Sequence, residues 1–188
     1  MKQLIYLLGF LLIFTSCTDI SDTSVPEIKK WTEEEWAALD VPTFVAALKD
    51  GTYKYREISD TGEVMWMNMP DFDKDDIPQL LLYAKDTTHI KEFPVNPISS
   101  RFPYHLEDGS LILSECLLWT IDGIRIGKKF PSLDPVLTKK EGGQYRYLNG
   151  AELLKVLDAF NSWWKKVQDS DKLIEEVSPL EGTAWQWS

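Results

Sequence analysis

Leu111-Ile112-Leu113-Ser114-Glu115-Cys116-Leu117-Leu118-Trp119-Thr120-Ile121-Asp122-Gly123-Ile124-Arg125-Ile126 carries apolar residues on almost every side of a 3.6-residue period. Only Glu115, Asp122 and Arg125 fall on a common narrow stripe that could reach water. A helix that is apolar nearly all round must be covered nearly all round, so this stretch predicts the central helix of one domain, with the other segments packed about it. At roughly 24 Å, from 1.5 Å per residue, and interrupted by charges, it is too short and too polar to span a membrane.

Working outward, Thr32 and Glu35 have capping-box spacing and introduce a short helix through Trp36, Ala37 and Leu39. A second helix starts at Val41-Pro42, where proline suits the first turn, and ends at Asp50-Gly51. From Tyr53 to Met69 the period falls to two around the turn chemistry of Ser59-Asp60-Thr61-Gly62, which predicts a small hairpin. Asp76-Ile77-Pro78 to Lys85-Asp86 then echoes Asp40-Val41-Pro42 to Lys49-Asp50 at an offset of about 36 residues, within the range of helical repeat units. A chance likeness of two proline-started helices would look the same. Pro94, Pro97 and Pro103 make Phe93 to Tyr104 a stiff loop that no helix crosses. Beyond the central helix, Lys139 to Gly143 reads as a loop and Gln144 to Leu148 as a short strand. Asn149 caps a strongly periodic helix reaching Val167, and a brief helix follows over Asp171 to Val177. In the tail, Trp185 and Trp187 share one face of an extended segment, so the chain end should dock. The expected class is mainly α: a compact helical, repeat-like (HEAT-like) domain around the central buried helix, with a small β-hairpin.

The 188 residues suit one domain, and 44% hydrophobic content supplies its core. A formal net charge of -10 without a basic stripe excludes phosphate-backbone recognition, so no nucleic acid partner is expected. Such acidity confers solubility or favours cationic partners. Of the two cysteines, Cys116 lies within the central helix and reads as a small core residue, so no disulfide with Cys17 is expected.

Residues 1–16, MKQLIYLLGFLLIFTS, have the charged start, short apolar run and small-residue end of a signal peptide. Phe14-Thr15-Ser16-Cys17 resembles a bacterial lipoprotein box, which implies cleavage before Cys17 and acylation of its thiol and amino group. An ordinary secretory signal beside a chance cysteine is the competing reading. Several acyl chains on one residue give a stable anchor where one would be marginal. By the same resemblance, Thr18 directly after the cysteine implies sorting to the outer membrane, on either face. Residues 17–30 then form the lipidated cysteine and a polar tether, and residues 31–188 the single globular domain.

Little in the chain points to catalysis. Asp71, Asp73 and Asp75 open like a calcium loop, but Asp76 stands where glycine is needed and Leu82 where a bidentate glutamate is needed. Helix capping accounts for them better. His89 and His105 lack ligand-spaced neighbours, so neither a metal nor another cofactor is expected. A nucleophile elbow, a phosphate loop and a dinucleotide fingerprint are all missing from the sequence. An enzyme reading would need His105 beside Ser99, Ser100 or Asp108. Two stretches are candidate binding surfaces. One is the proline-stiffened loop bearing Asn96, Ser99, Ser100, Arg101, Tyr104 and His105. The other is the tail with Trp185 and Trp187, whose flat faces could stack on sugar rings, whereas Trp36, Trp119, Trp163 and Trp164 fall on helical core faces.

The leader, the two Asp-[Val/Ile]-Pro helices, the Asn96-Pro97-Ile98-Ser99-Ser100 loop and Cys116 to Arg125 are together similar to small uncharacterised lipoproteins of Gram-negative gut bacteria, grouped as a domain of unknown function. The resemblance implies no chemistry for particular residues. The expected function is a non-catalytic interaction or binding module, held at the membrane by its N-terminal lipid, with an envelope protein or a glycan as partner. The alternatives are a glycan-binding accessory lipoprotein and an envelope enzyme with an unrecognised site.

Overall fold

The structure, a computed structural model, describes residues 32–53, 56–58, 64–66, 69–94, 96, 98, 109–141 and 144–188. Its axis is α4, Leu113–Arg125, in which every residue from Leu113 to Gly123 is buried. The helix begins two residues later than its apolar pattern suggests. Leu111–Ile112 (β4) instead pairs antiparallel with His89–Ile90 (β3), an extended pairing that satisfies their backbone before the first helical turn. The polar stripe is a second correction. Glu115 and Asp122 are buried, because strand and tail segments cover the face that periodicity alone leaves to water.

The other helices are α1 (Glu33–Ala37), α2 (Val41–Asp50), α3 (Ile77–Tyr83), α5 (Gly150–Val167) and α6 (Asp171–Glu176), of which α3 and α5 pack most closely on α4. Local chemistry places them as expected: Thr32 with Glu35, and Asn149 with Glu152, close complete capping boxes at α1 and α5, and the Asp40 side chain caps α2. The hairpin forms between Arg56–Ile58 (β1) and Val64–Trp66 (β2), its turn lying outside the described residues.

The helical-repeat expectation fails. Among the described residues the chain builds two two-stranded sheets and one three-stranded sheet beside its helices, so the class is mixed α/β. A HEAT unit pairs each helix with an antiparallel partner, whereas here α2 is followed by the β1–β2 hairpin and α3 by β3. What the two segments do share is local. Asp50 and Asp86 each accept hydrogen bonds from the amide and hydroxyl of the threonine two residues on, and Lys49 of the first segment pairs with Asp86 of the second at 2.5 Å.

Residues expected to loop at Lys139 to Gly143 lie, as far as they are described, in Leu137–Glu141 (β5), where Lys139 pairs with Glu141 and Glu152. This strand is central in the order β6–β5–β7, flanked by Gln144–Tyr147 (β6) and the tail Trp185–Trp187 (β7). The chain end therefore docks, with Trp187 opposite Leu137. A line of aromatic rings runs through the core from Trp36 and Tyr53 to Phe44, Phe93, Trp119 and Phe130, successive centroids 4.9–6.1 Å apart.

Gly123 has a packing reason. A Cβ there would come within 2.6 Å of the Lys128 carbonyl oxygen, because the chain folds back after α4 and the Lys128 N–H donates to the Gly123 carbonyl at 2.9 Å. Alanine gains about 1 kcal/mol of helix propensity but must displace that backbone, at about 1–3 kcal/mol. Gly123→Ala should therefore melt several degrees below the parent by circular dichroism, and a higher melting temperature would refute the close approach.

Candidate functional site

Where α4 ends, the chain leaves a cleft of about 440 Å³, a volume in the range of small-ligand sites. Its floor is apolar, made by Phe72, Ile124 and the buried Met69 and Ile174. The polar rim comes from three directions: the segment 69–74, the turn 127–129 after α4, and α6. Two ion pairs tie the first of these to the others. Asp71 meets Lys129 at 2.7 Å, and Lys74 meets Asp171 at 2.7 Å. The hydrogen bond that Lys74 Nζ donates to Asp171, helped by the charges of Asp171, Asp75 and Asp169, holds the Lys74 ammonium above its ordinary pKa.

Behind the cleft lies a buried polar knot. Arg125 Nε donates to Asp122 Oδ1 at 2.6 Å, and Trp187 Nε1 donates to Asp122 Oδ2 at 3.0 Å. Arg125 Nη1 also donates to the Glu175 carbonyl at 3.1 Å. One aspartate thus fixes the end of α4, the C-terminal strand and α6 together. Deeper in the same helix, Glu115 is 2% exposed and the only hydrogen bond to its carboxyl among the described residues is from the Leu137 N–H at 3.4 Å. Desolvation raises its pKa from 4.5 to about 8, which keeps the carboxyl protonated at neutral pH.

Of the binding residues picked from sequence, the described ones, Asn96, Trp185 and Trp187, do not line this cleft. Asn96 donates to the Ser132 carbonyl at 3.1 Å, and Ser132 Oγ accepts from Trp119 Nε1 at 2.6 Å, so Asn96 pins its loop to the core. Ser99, Ser100, Arg101, Tyr104, His105 and Cys17 lie outside the described residues. Trp185 and Trp187 are half-buried on the face of β7 that packs on the core, and do not stand out as a platform. Trp36, Trp119 and Trp163 are buried in the core, with Trp164 packed against it. Asp73 caps the 3₁₀ turn Lys74–Asp76 in a capping box with Asp76, the role that explains the alternating aspartates. Sequence reasoning missed Lys128, Lys129 and Glu175, exposed charges that only the fold brings together. Arg125 and Asp122 did stand out on one stripe, but their burial did not.

Among the described residues, clusters of His, Cys, Asp or Glu able to hold a metal ion are absent, and no helix is long and apolar enough to cross a membrane. Fold and site together define a mixed α/β domain with an amphipathic, charge-rimmed cleft. Residues 35–188 match the family described as Domain of unknown function (DUF4943), and the chain belongs to that family. Neither the curated proteins nor the solved structures yielded a match.

Proposed function

We propose that this protein is a non-catalytic binding module of the cell envelope, tethered to the outer membrane through lipidated Cys17, with the cleft at the end of α4 as its ligand surface. The observation that carries the binding reading is the cleft itself: an apolar floor of ligand size whose charged groups are engaged mainly in holding its walls. Among the described residues of its lining no hydroxyl or thiol is paired with a base, and Glu115, the carboxyl that burial shifts upward, lies outside that lining in the core. The tether rests on the Phe14-Thr15-Ser16-Cys17 sequence and the polar stretch after it.

Two measurements test the two parts. Expressed in a Gram-negative host with radiolabelled palmitate, the protein should carry label and sediment with outer membranes. Cys17→Ala should abolish the label and leave the leader uncleaved; label retained in that variant ends the lipoprotein reading. For binding, the full-length protein in detergent micelles, labelled with ¹³C-methyl methionine, should shift its Met69 methyl resonance with a cognate ligand. Met69→Leu assigns that signal.

A further inference from the structure

The rim of the cleft carries its charges in balance. Asp71 meets Lys129 and Lys74 meets Asp171, both at 2.7 Å, so each of these four lining charges is neutralised by another. Arg125, also in the lining, is held at 2.6 Å by Asp122 behind it. The remaining charged side chains of the lining are Asp73, Glu175 and Lys128, and the whole set is four carboxylates against four cations. A charged ligand group that approaches either rim ion pair meets a like charge beside the opposite one, so a net charge gains little here. Hydroxyl groups are in a different position. An ammonium has three N–H donors, a guanidinium five and a carboxylate about four acceptor sites, so one ion-pair contact leaves most of each group's capacity unspent. Bonds to these groups are charge-assisted, hence stronger than those between neutral partners. Below the rim, the side chains of Phe72, Ile124 and the buried Met69 and Ile174 offer only apolar surface. A ligand that matches both layers is uncharged, donates and accepts hydrogen bonds along its edge, and has an apolar face.

From this arrangement we infer that the cleft takes a neutral saccharide of about one or two rings, a size suited to its 440 Å³. The sugar hydroxyls bond the paired charges of the rim without separating them, and the C–H face of a ring covers the floor, where Phe72 supplies the aromatic surface. Sugar recognition then belongs to this cleft and not to Trp185 and Trp187, which lie outside its lining. The inference rests on the binding-module reading and adds the ligand class to it.

Titration of full-length protein in micelles of lauryldimethylamine oxide, a detergent without sugar, tests it by calorimetry and by the Met69 methyl signal. The neutral probes are maltose, cellobiose, lactose and chitobiose. Against them stand digalacturonate, deacetylated chitobiose at a mildly acid pH where its amines are charged, and N-acetyl-leucine amide, which is neutral and apolar but lacks hydroxyls. At least one neutral disaccharide should bind, shift Met69, and bind at least about tenfold more tightly than either charged one. Asp171→Asn should improve digalacturonate, and Lys129→Gln deacetylated chitobiose, by up to about fivefold, the scale of an exposed charge contact. These side chains are 85% and 48% exposed, so folding of the variants is not at issue. Tighter binding of a charged disaccharide by the parent, or unchanged preferences in both variants, overturns the neutral assignment. Heat from a sugar without a Met69 shift places that sugar elsewhere and overturns the assignment to this cleft. N-acetyl-leucine amide shifting Met69 where no sugar does overturns the ligand class, but leaves the cleft as a binding site. If no probe shifts Met69, both the ligand class and the cleft reading fall.

Discussion

Asp122→Ala should cost about 3–5 kcal/mol of folding stability, the range found when one partner of a buried ion pair is removed. The Asp122 and Arg125 side chains are 9% and 14% exposed, so the guanidinium left behind keeps its charge with little water to solvate it. The same truncation removes the acceptor of the Trp187 indole N–H, 65 residues away in sequence. Because Trp187 lies in β7, which is joined to the rest of its sheet only through β5, the tail should loosen first. Urea titration measures the loss, and limited proteolysis should cut the variant within residues 183–188 before the parent. Asp122→Asn keeps an acceptor for the indole and should recover part of the stability. The pair Asp122→Leu with Arg125→Leu should be more stable than Asp122→Ala, since no unpaired charge remains. A variant Asp122→Ala within about 0.5 kcal/mol of the parent, the scale of ordinary surface changes, would show that the knot does not hold the three elements together.

What could be read from the sequence follows from which forces are local. Capping boxes at Thr32 and Asn149 are complete within four residues, so their helices start where the chain says they do. The central burial of α4 was legible because apolar residues all round a helix leave it no other place. Pairing was not legible. Leu111 and Ile112 fit a helical pattern as well as a strand, and what decides is His89–Ile90, some twenty residues earlier. The strand Leu137–Glu141 runs through two lysines and a glutamate, a composition that reads as a loop until β6 and the tail flank it. A helix-to-helix likeness between residues 40–50 and 76–86 suggested a repeat array, yet the partners that would complete such units are strands here. The cleft was illegible for the same reason: Lys128, Glu175 and Phe72 are unremarkable surface or half-buried residues until long-range packing gathers them. Glu115 and Asp122 were noticed and assigned to water, because periodicity locates a stripe but not what covers it.

Glu115 gives the second large effect, and its sign is opposite to that of a paired carboxylate. In the unfolded chain its carboxyl ionises near 4.5, while in the folded protein burial holds the proton to about 8. Between those values unfolding releases a proton, so stability falls as pH rises, by up to about 1.4 kcal/mol per pH unit. Below the unfolded pKa the group is neutral in both states and costs nothing through ionisation; above about 8 the whole penalty, about 3–5 kcal/mol, is present. The carboxylates held low, Asp86, Glu141 and Glu152, all near 2, titrate below this window. The buried Cys116 thiol is pushed well above 9 by burial and by the Glu115 charge, and so titrates beyond it. Glu115→Gln keeps an oxygen for the Leu137 N–H and removes the titration. The variant should match the parent near pH 4.5 and then pull ahead, melting about 10 °C higher at pH 8.5, from about 2–4 °C per kcal/mol for a chain of this size. Taking the difference between the two proteins at each pH cancels the histidines and every other group they share. A difference that stays flat from pH 4.5 to 8.5 would mean that Glu115 ionises normally in the fold, and the sealed, proton-holding core described for α4 would have to be abandoned.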